Sequence, residues 1–188
     1  MRRVPVALTL AALLAGCSAG GSSPTGPNAA PAASVRAPAD PIPAVRDPKN
    51  LAGTPPCQLL APAQLAANRI DQPGQPKDVR DAQGCEWDDK AHTRAVRIYV
   101  DVGNDVLHNV YVKRSTFAVF EVTQVAGYPA IRTKDLVEGT SCSFRVAVAE
   151  RQTFVVEFTS LGQGREEPCG PAKALAETVM ANLPPLKS

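Results

Sequence analysis

An α+β domain, an antiparallel β-sheet with helices packed on one face and two disulfides, is the fold class this sequence predicts, and three observations carry the prediction. Val96, Ile98, Val100 and Val102 alternate with mostly polar residues, as do Cys142, Phe144, Val146 and Val148, and then Phe154, Val156 and Phe158. A period of two puts every second side chain on one face of a sheet. Near the end of the chain Ala172, Leu175, Ala176, Val179, Met180 and Leu183 recur at helical spacing, which makes an apolar stripe in need of a surface to cover. Four cysteines complete the case: Cys57, Cys85, Cys142 and Cys169.

Each element follows in order. Leu59 to Arg69 reads as a short helix, with Pro62 suited to its first turn and Leu59, Leu60 and Leu65 on one face; Pro73, Gly74 and Pro76 then break it. Cys85-Glu86-Trp87 opens a strand, and Val96 to Val102 forms the next. Asn104 to Arg114 reads as a helix with Leu107, Val110 and Tyr111 inward. Phe120 to Val125 and Ala130 to Arg132 read as strands joined across Gly127-Tyr128-Pro129, where the proline restricts Tyr128 to extended backbone. Glu150-Arg151-Gln152 turns the chain between the two clearest strands, an antiparallel hairpin. Pro171 starts the last helix, and Pro184 and Pro185 stop it.

The amino end carries a different message. Arg2 and Arg3 precede an apolar run from Val4 to Leu14, and Leu14-Ala15-Gly16-Cys17 closes it. This pattern is similar to a bacterial lipobox, and residues 1–16 read as a lipoprotein signal peptide. A membrane-spanning helix needs about 20 apolar residues, and this run is shorter and contains Pro5. The resemblance implies a diacylglyceryl group on the Cys17 thiol and cleavage between Gly16 and Cys17. A doubly acylated cysteine gives a lasting anchor where one chain gives only marginal binding. The expected location is the extracytoplasmic face of the cell membrane.

Residues 17–56 are rich in Gly, Ser, Ala and Pro and hold no aromatic residue, so they read as the lipidated Cys17 followed by a disordered tether. Residues 57–188 form the single disulfide-bonded domain. The chain has 20 basic and 18 acidic residues; without Arg2 and Arg3 the balance is 18 to 18. No concentrated basic stripe offers nucleic acid a footprint. In an oxidising compartment an even cysteine count reads as disulfides, with three pairings open to four cysteines. We favour Cys57 with Cys85 and Cys142 with Cys169, which divide the domain into two similar loops, each stabilising by about 3.6 kcal/mol in the chain-entropy picture.

Cys57-Gln58-Leu59-Leu60, Cys85-Glu86-Trp87, Gly127-Tyr128-Pro129-Ala130, the Cys142 strand and Glu167-Pro168-Cys169 before an Ala-rich helix together resemble the actinobacterial lipoprotein family known as domain of unknown function 3558. The likeness spans nearly all of residues 57–188. It implies an exported, lipid-anchored, disulfide-bonded domain, and it brings no catalytic residues. One departure is Ala61, where a helix-capping Ser, Thr or Asp is expected.

For chemistry, the sequence holds two histidines and no Gly-x-Ser-x-Gly, Ser-x-x-Lys or His-Glu-x-x-His motif. His108, beside Asn104 and Asp105, is the candidate base, with an exposed histidine of no special role as the plainer reading; His92 reads as solvated. Asp88-Asp89 and Glu166-Glu167 read as surface turns rather than calcium ligands. Trp87 reads as packing on the Cys85 disulfide. Tyr128, held by its corner, is a candidate for a binding contact. The reading assigns no catalytic residue, no metal ligand and no cofactor. It expects a non-catalytic binding or accessory module at the cell envelope, attached to the membrane through Cys17 and recognising a protein, glycan or lipid. An envelope enzyme and a structural spacer are the alternatives.

Overall fold

The computed structural model describes residues 41–79 and 82–187. Residues 1–16, read as a signal peptide, Cys17 and the first part of the expected tether lie outside the described residues. Seven strands form one sheet in the order β1-β2-β3-β7-β6-β5-β4, every neighbouring pair antiparallel. They are β1 (Gln75–Pro76), β2 (Gln83–Asp88), β3 (Arg94–Val102), β4 (Val119–Val125), β5 (Tyr128–Lys134), β6 (Ser141–Ala149) and β7 (Gln152–Ser160). Among the described residues three α-helices accompany them: α1 (Pro62–Ala67), α2 (Val106–Val112) and α3 (Cys169–Asn182).

The alternation in β3, β6 and β7 decides which face is buried. Val96, Ile98, Val146, Phe154, Val156 and Phe158 have no exposed surface and share a core with Leu175, Ala176 and Val179 of α3. Leu59, Leu60, Leu65 and Ile70 from the α1 region join the same core. The α+β class therefore holds, and the stripe on α3 is covered by β6 and β7. Because β3 and β7 are neighbours, the connection from β3 to β4 must pass over three strands, and α2 travels in it. It lies on the sheet face opposite α3, where Leu107 is buried beside Ala147 and Thr153.

Both disulfides form as favoured, Cys57–Cys85 and Cys142–Cys169. One ties the 3-10 turn at Pro56–Gln58 to β2, and the other ties β6 to the start of α3. Trp87 packs in the core near Cys85, and a side chain at Gly74 would come within 2.4 Å of its indole nitrogen. That close approach is what glycine permits there.

Helix starts depend on polar groups that compensate for weak caps. Ala61 has no side-chain acceptor, and α1 instead begins with Gln64 reaching back, its Oε1 accepting from the Ala61 N–H at 2.8 Å. Helix α3 begins at Cys169, ahead of Pro171, because Glu167 Oε2 accepts from the Cys169 and Gly170 N–H groups at 2.8 and 3.3 Å. A carboxylate at that end satisfies free donors and opposes the helix dipole.

Two expectations are corrected. The β4–β5 turn is Ala126-Gly127, with φ of 49° and 82°, and Val125 pairs with Tyr128. Tyr128 and Pro129 therefore belong to β5. A two-residue hairpin turn needs left-handed backbone at both positions, and β6 pairs with β5 only from Ala130 on, so Pro129 sits where no ladder bond to β6 is required.

The tether expected over 17–56 ends earlier. Lys49 N–H donates to the Val148 carbonyl and Asn50 N–H to the Pro184 carbonyl, each at 2.8 Å. Leu186 N–H returns a bond to Pro48 at 2.9 Å, so this strap runs antiparallel to the carboxyl-terminal tail. Leu51 is fully buried in the main core. A Pro/Ala/Gly-rich average concealed one well-placed leucine and a set of backbone bonds to distant residues. Leu51→Ala is expected to destabilise the domain by about 2–5 kcal/mol in denaturant titration; a loss below about 0.5 kcal/mol would return the strap to the tether.

Candidate functional site

On the sheet face opposite α3, directly paired residues form rows across the strands. One row runs Glu86, Arg97, Glu157, Ser143, Thr133 and Phe120. It is closed electrostatically. Arg97 Nε donates to Glu86 Oε1 at 2.7 Å and Nη1 to Glu157 Oε1 at 2.9 Å, while Lys77 lies 2.9 Å from the other Glu86 oxygen. Ser143 Oγ donates to Glu157 Oε2 at 3.2 Å. Burial alone would raise the Glu86 carboxyl, but the hydrogen bonds and charges of Lys77 and Arg97 outweigh it and hold the group below its ordinary value.

The adjacent row is different: Gly84, Tyr99, Val155, Arg145, Ile131 and Val122. Arg145 is the only charge in it. The guanidinium lies 5.5 Å from the centroid of the Phe117 ring and donates from Nη1 to Thr133 Oγ1 at 2.6 Å. Among the described residues it makes no ion pair. Burial pushes it below the usual arginine value, against the attraction of Glu157 and Asp135.

Two cavities meet at this side chain. One, of about 380 Å³, has Tyr99, Val106 and Val155 among its walls. The other, of about 230 Å³, reaches Thr133 and Asp135. Ser143, Arg145 and Glu157 line both. The larger combines an apolar wall with Arg145 and with the polar groups of Asp101, Asn104, Ser143 and Glu157, the mixed lining of a small-ligand site. Helix α2 forms one side because Asp105 Oδ1 accepts from the His108 N–H at 3.1 Å and starts the helix at Val106. Beyond it, Tyr111, Phe117 and Phe120 pack together, with centroid distances of 5.9 and 6.3 Å to Phe120.

The residues singled out in the sequence fall elsewhere. Tyr128 donates its hydroxyl to the Asp47 carbonyl at 2.6 Å, so its polar tip is engaged by the strap. His108 is exposed on α2, in a separate cleft of about 320 Å³ with Asp105, Glu150 and Arg151. His92 occupies the β2–β3 turn at φ 52° and is exposed. Asp89 organises that turn by accepting from Thr93 N–H and Oγ1, each at 2.7 Å, and from Arg94 N–H at 3.0 Å. Glu166 pairs with Arg94, and Glu167 with Lys134 at 3.4 Å in addition to capping α3. Among the described residues no three His, Cys, Asp or Glu side chains converge on a metal-sized site, and no helix is long and apolar enough to cross a membrane.

Arg145 was missed by the sequence reading. The available signal was its position as the one charge between Cys142 and Val148, on the face opposite the apolar alternation. That it makes no direct ion pair among the described residues depends on register with β5 and β7.

A family model described as protein of unknown function (DUF3558) matches residues 12–182. No curated protein and no solved structure matches the chain.

The charged row yields a pH prediction. A carboxyl depressed in the folded state contributes stability that is present above its unfolded value, near 4.5, and is lost as pH falls through the lower folded value. Glu86→Gln is therefore expected to flatten part of the acid limb of stability below about pH 4.5, followed by urea unfolding across pH 2–7. An unchanged limb would count against this balance of forces.

Proposed function

The chain belongs to the DUF3558 family of proteins of unknown function, and from that premise we propose that it is a lipid-anchored, non-catalytic binding module on the outer face of a cell membrane. Residues 1–16 act as the export signal, and Cys17 carries the lipid. The tether after it spaces the folded domain from the bilayer. The observation that carries the binding role is the groove at Arg145, where an apolar wall ends at a cation with spare hydrogen-bond donors. A binding module needs that combination and no nucleophile or base.

The reading divides into two measurable parts. Metabolic labelling with an alkyne fatty acid is expected to mark the protein and to leave Cys17→Ser unlabelled; label retained in the variant overturns the anchor. Organic extraction of protein purified from its native membrane is expected to release a stoichiometric small molecule. Val106→Trp, which crowds the groove from α2, is expected to reduce that molecule at least fivefold. Extraction that recovers nothing from the unaltered protein overturns the binding role.

A further inference from the structure

We infer that the Arg145 groove takes a ligand with a single carboxylate on an apolar body, an assignment that rests on the binding role above and specifies its chemistry. Three features of the groove converge on this ligand.

The first is donor supply. A guanidinium has five N–H donors in a planar fork, and Arg145 uses one position, toward Thr133. Arg97, in the adjacent row, is held by Glu86 and Glu157. The same sheet face thus carries one arginine ion-paired to two carboxylates and one that, among the described residues, is ion-paired to none. A part-buried cation short of partners is costly, and a planar carboxylate matches the fork with two parallel hydrogen bonds.

The second is the limit on ligand charge. Glu157 and Asp101 line the same cavity, and Asp135 lines the adjoining one. Glu157 is already engaged by Arg97 and Ser143. These fixed carboxylates oppose added negative charge at Arg145, and a phosphate dianion more strongly than a single carboxylate.

The third is shape. Val106 and Val155 form apolar wall, and Tyr99 presents a ring with a polar tip. About 380 Å³ lies near the lower end of small-molecule sites, which suits a medium-chain or single-ring acid rather than a long acyl chain.

The test is calorimetric titration of the full chain, with both disulfides formed, using sodium octanoate, 1-octanol and octyl phosphate as probes. Octanoate is expected to bind at least tenfold more tightly than either of the others. Arg145→Gln is expected to weaken octanoate at least tenfold and to leave octanol within twofold. Because Arg145 also packs on Phe117, a second variant leaves it in place: Val106→Asp sets a like charge against the ligand and is expected to weaken octanoate at least fivefold. Equal binding of octanol and octanoate overturns the carboxylate assignment while leaving an apolar binding groove. Preference for octyl phosphate overturns it in favour of a dianion site. Octanoate binding that both variants leave within twofold moves the site elsewhere on the molecule. No binding of any probe overturns the assignment too, and the extraction experiment then judges the binding role independently.

Discussion

Burial of one face of β3, β7 and β6 is the constraint on which the rest of the molecule depends. Phe154, Val156 and Phe158 stand between Val96, Ile98 and Val100 on one side and Cys142, Phe144 and Val146 on the other. Each such side chain contributes on the order of 1.5–3 kcal/mol only when water is excluded. Exclusion requires a cover, and α3 with the α1 region provides it. The disulfides attach the two covering segments to the sheet they cover, and the strap around Leu51 closes the end where β6 and α3 finish.

That commitment leaves the second face with a different composition. Side chains facing away from α3 are charged, hydroxylated or small along much of β3, β6 and β7, and α2 covers only part of them. In the first row, Glu86, Arg97 and Glu157 engage one another. In the second, Val155 and Ile131 flank Arg145 with apolar surface, and the cation is left facing a cavity. The main core and the Arg145 cavity thereby lie on opposite sides of one sheet. A residue on β6 points to one or the other according to its parity.

Much of the fold was legible before any coordinates. The strands β3, β6 and β7 and the helix α3 were readable because each has a strong period and enough length for that period to be unambiguous. Loop sizes favoured one disulfide pairing of the three the sequence left open, and that pairing is the one formed. Less was readable where single residues decide the geometry. The Ala126-Gly127 turn was obscured by Pro129, a stronger local signal that turned out to lie inside a strand. The start of α3 was set by Glu167, whose carboxylate replaces a cap that Pro168 has no side-chain oxygen to provide. Leu51 stood alone in a segment whose composition resembled a linker, and no periodicity announced it.

The sequence alone determined the α+β class, the apolar face of each long strand and the cysteines available for pairing, because these depend on local spacing and composition. Only the tertiary structure decided that β3 pairs with β7, that α2 crosses the face opposite α3, and that Arg145 stands among Val155, Ile131 and Thr133 with no ion pair among the described residues. Those facts depend on strand order and register between segments far apart in the chain. Alternation along one strand specifies which way a side chain points, and it carries no information about what stands beside it on the next.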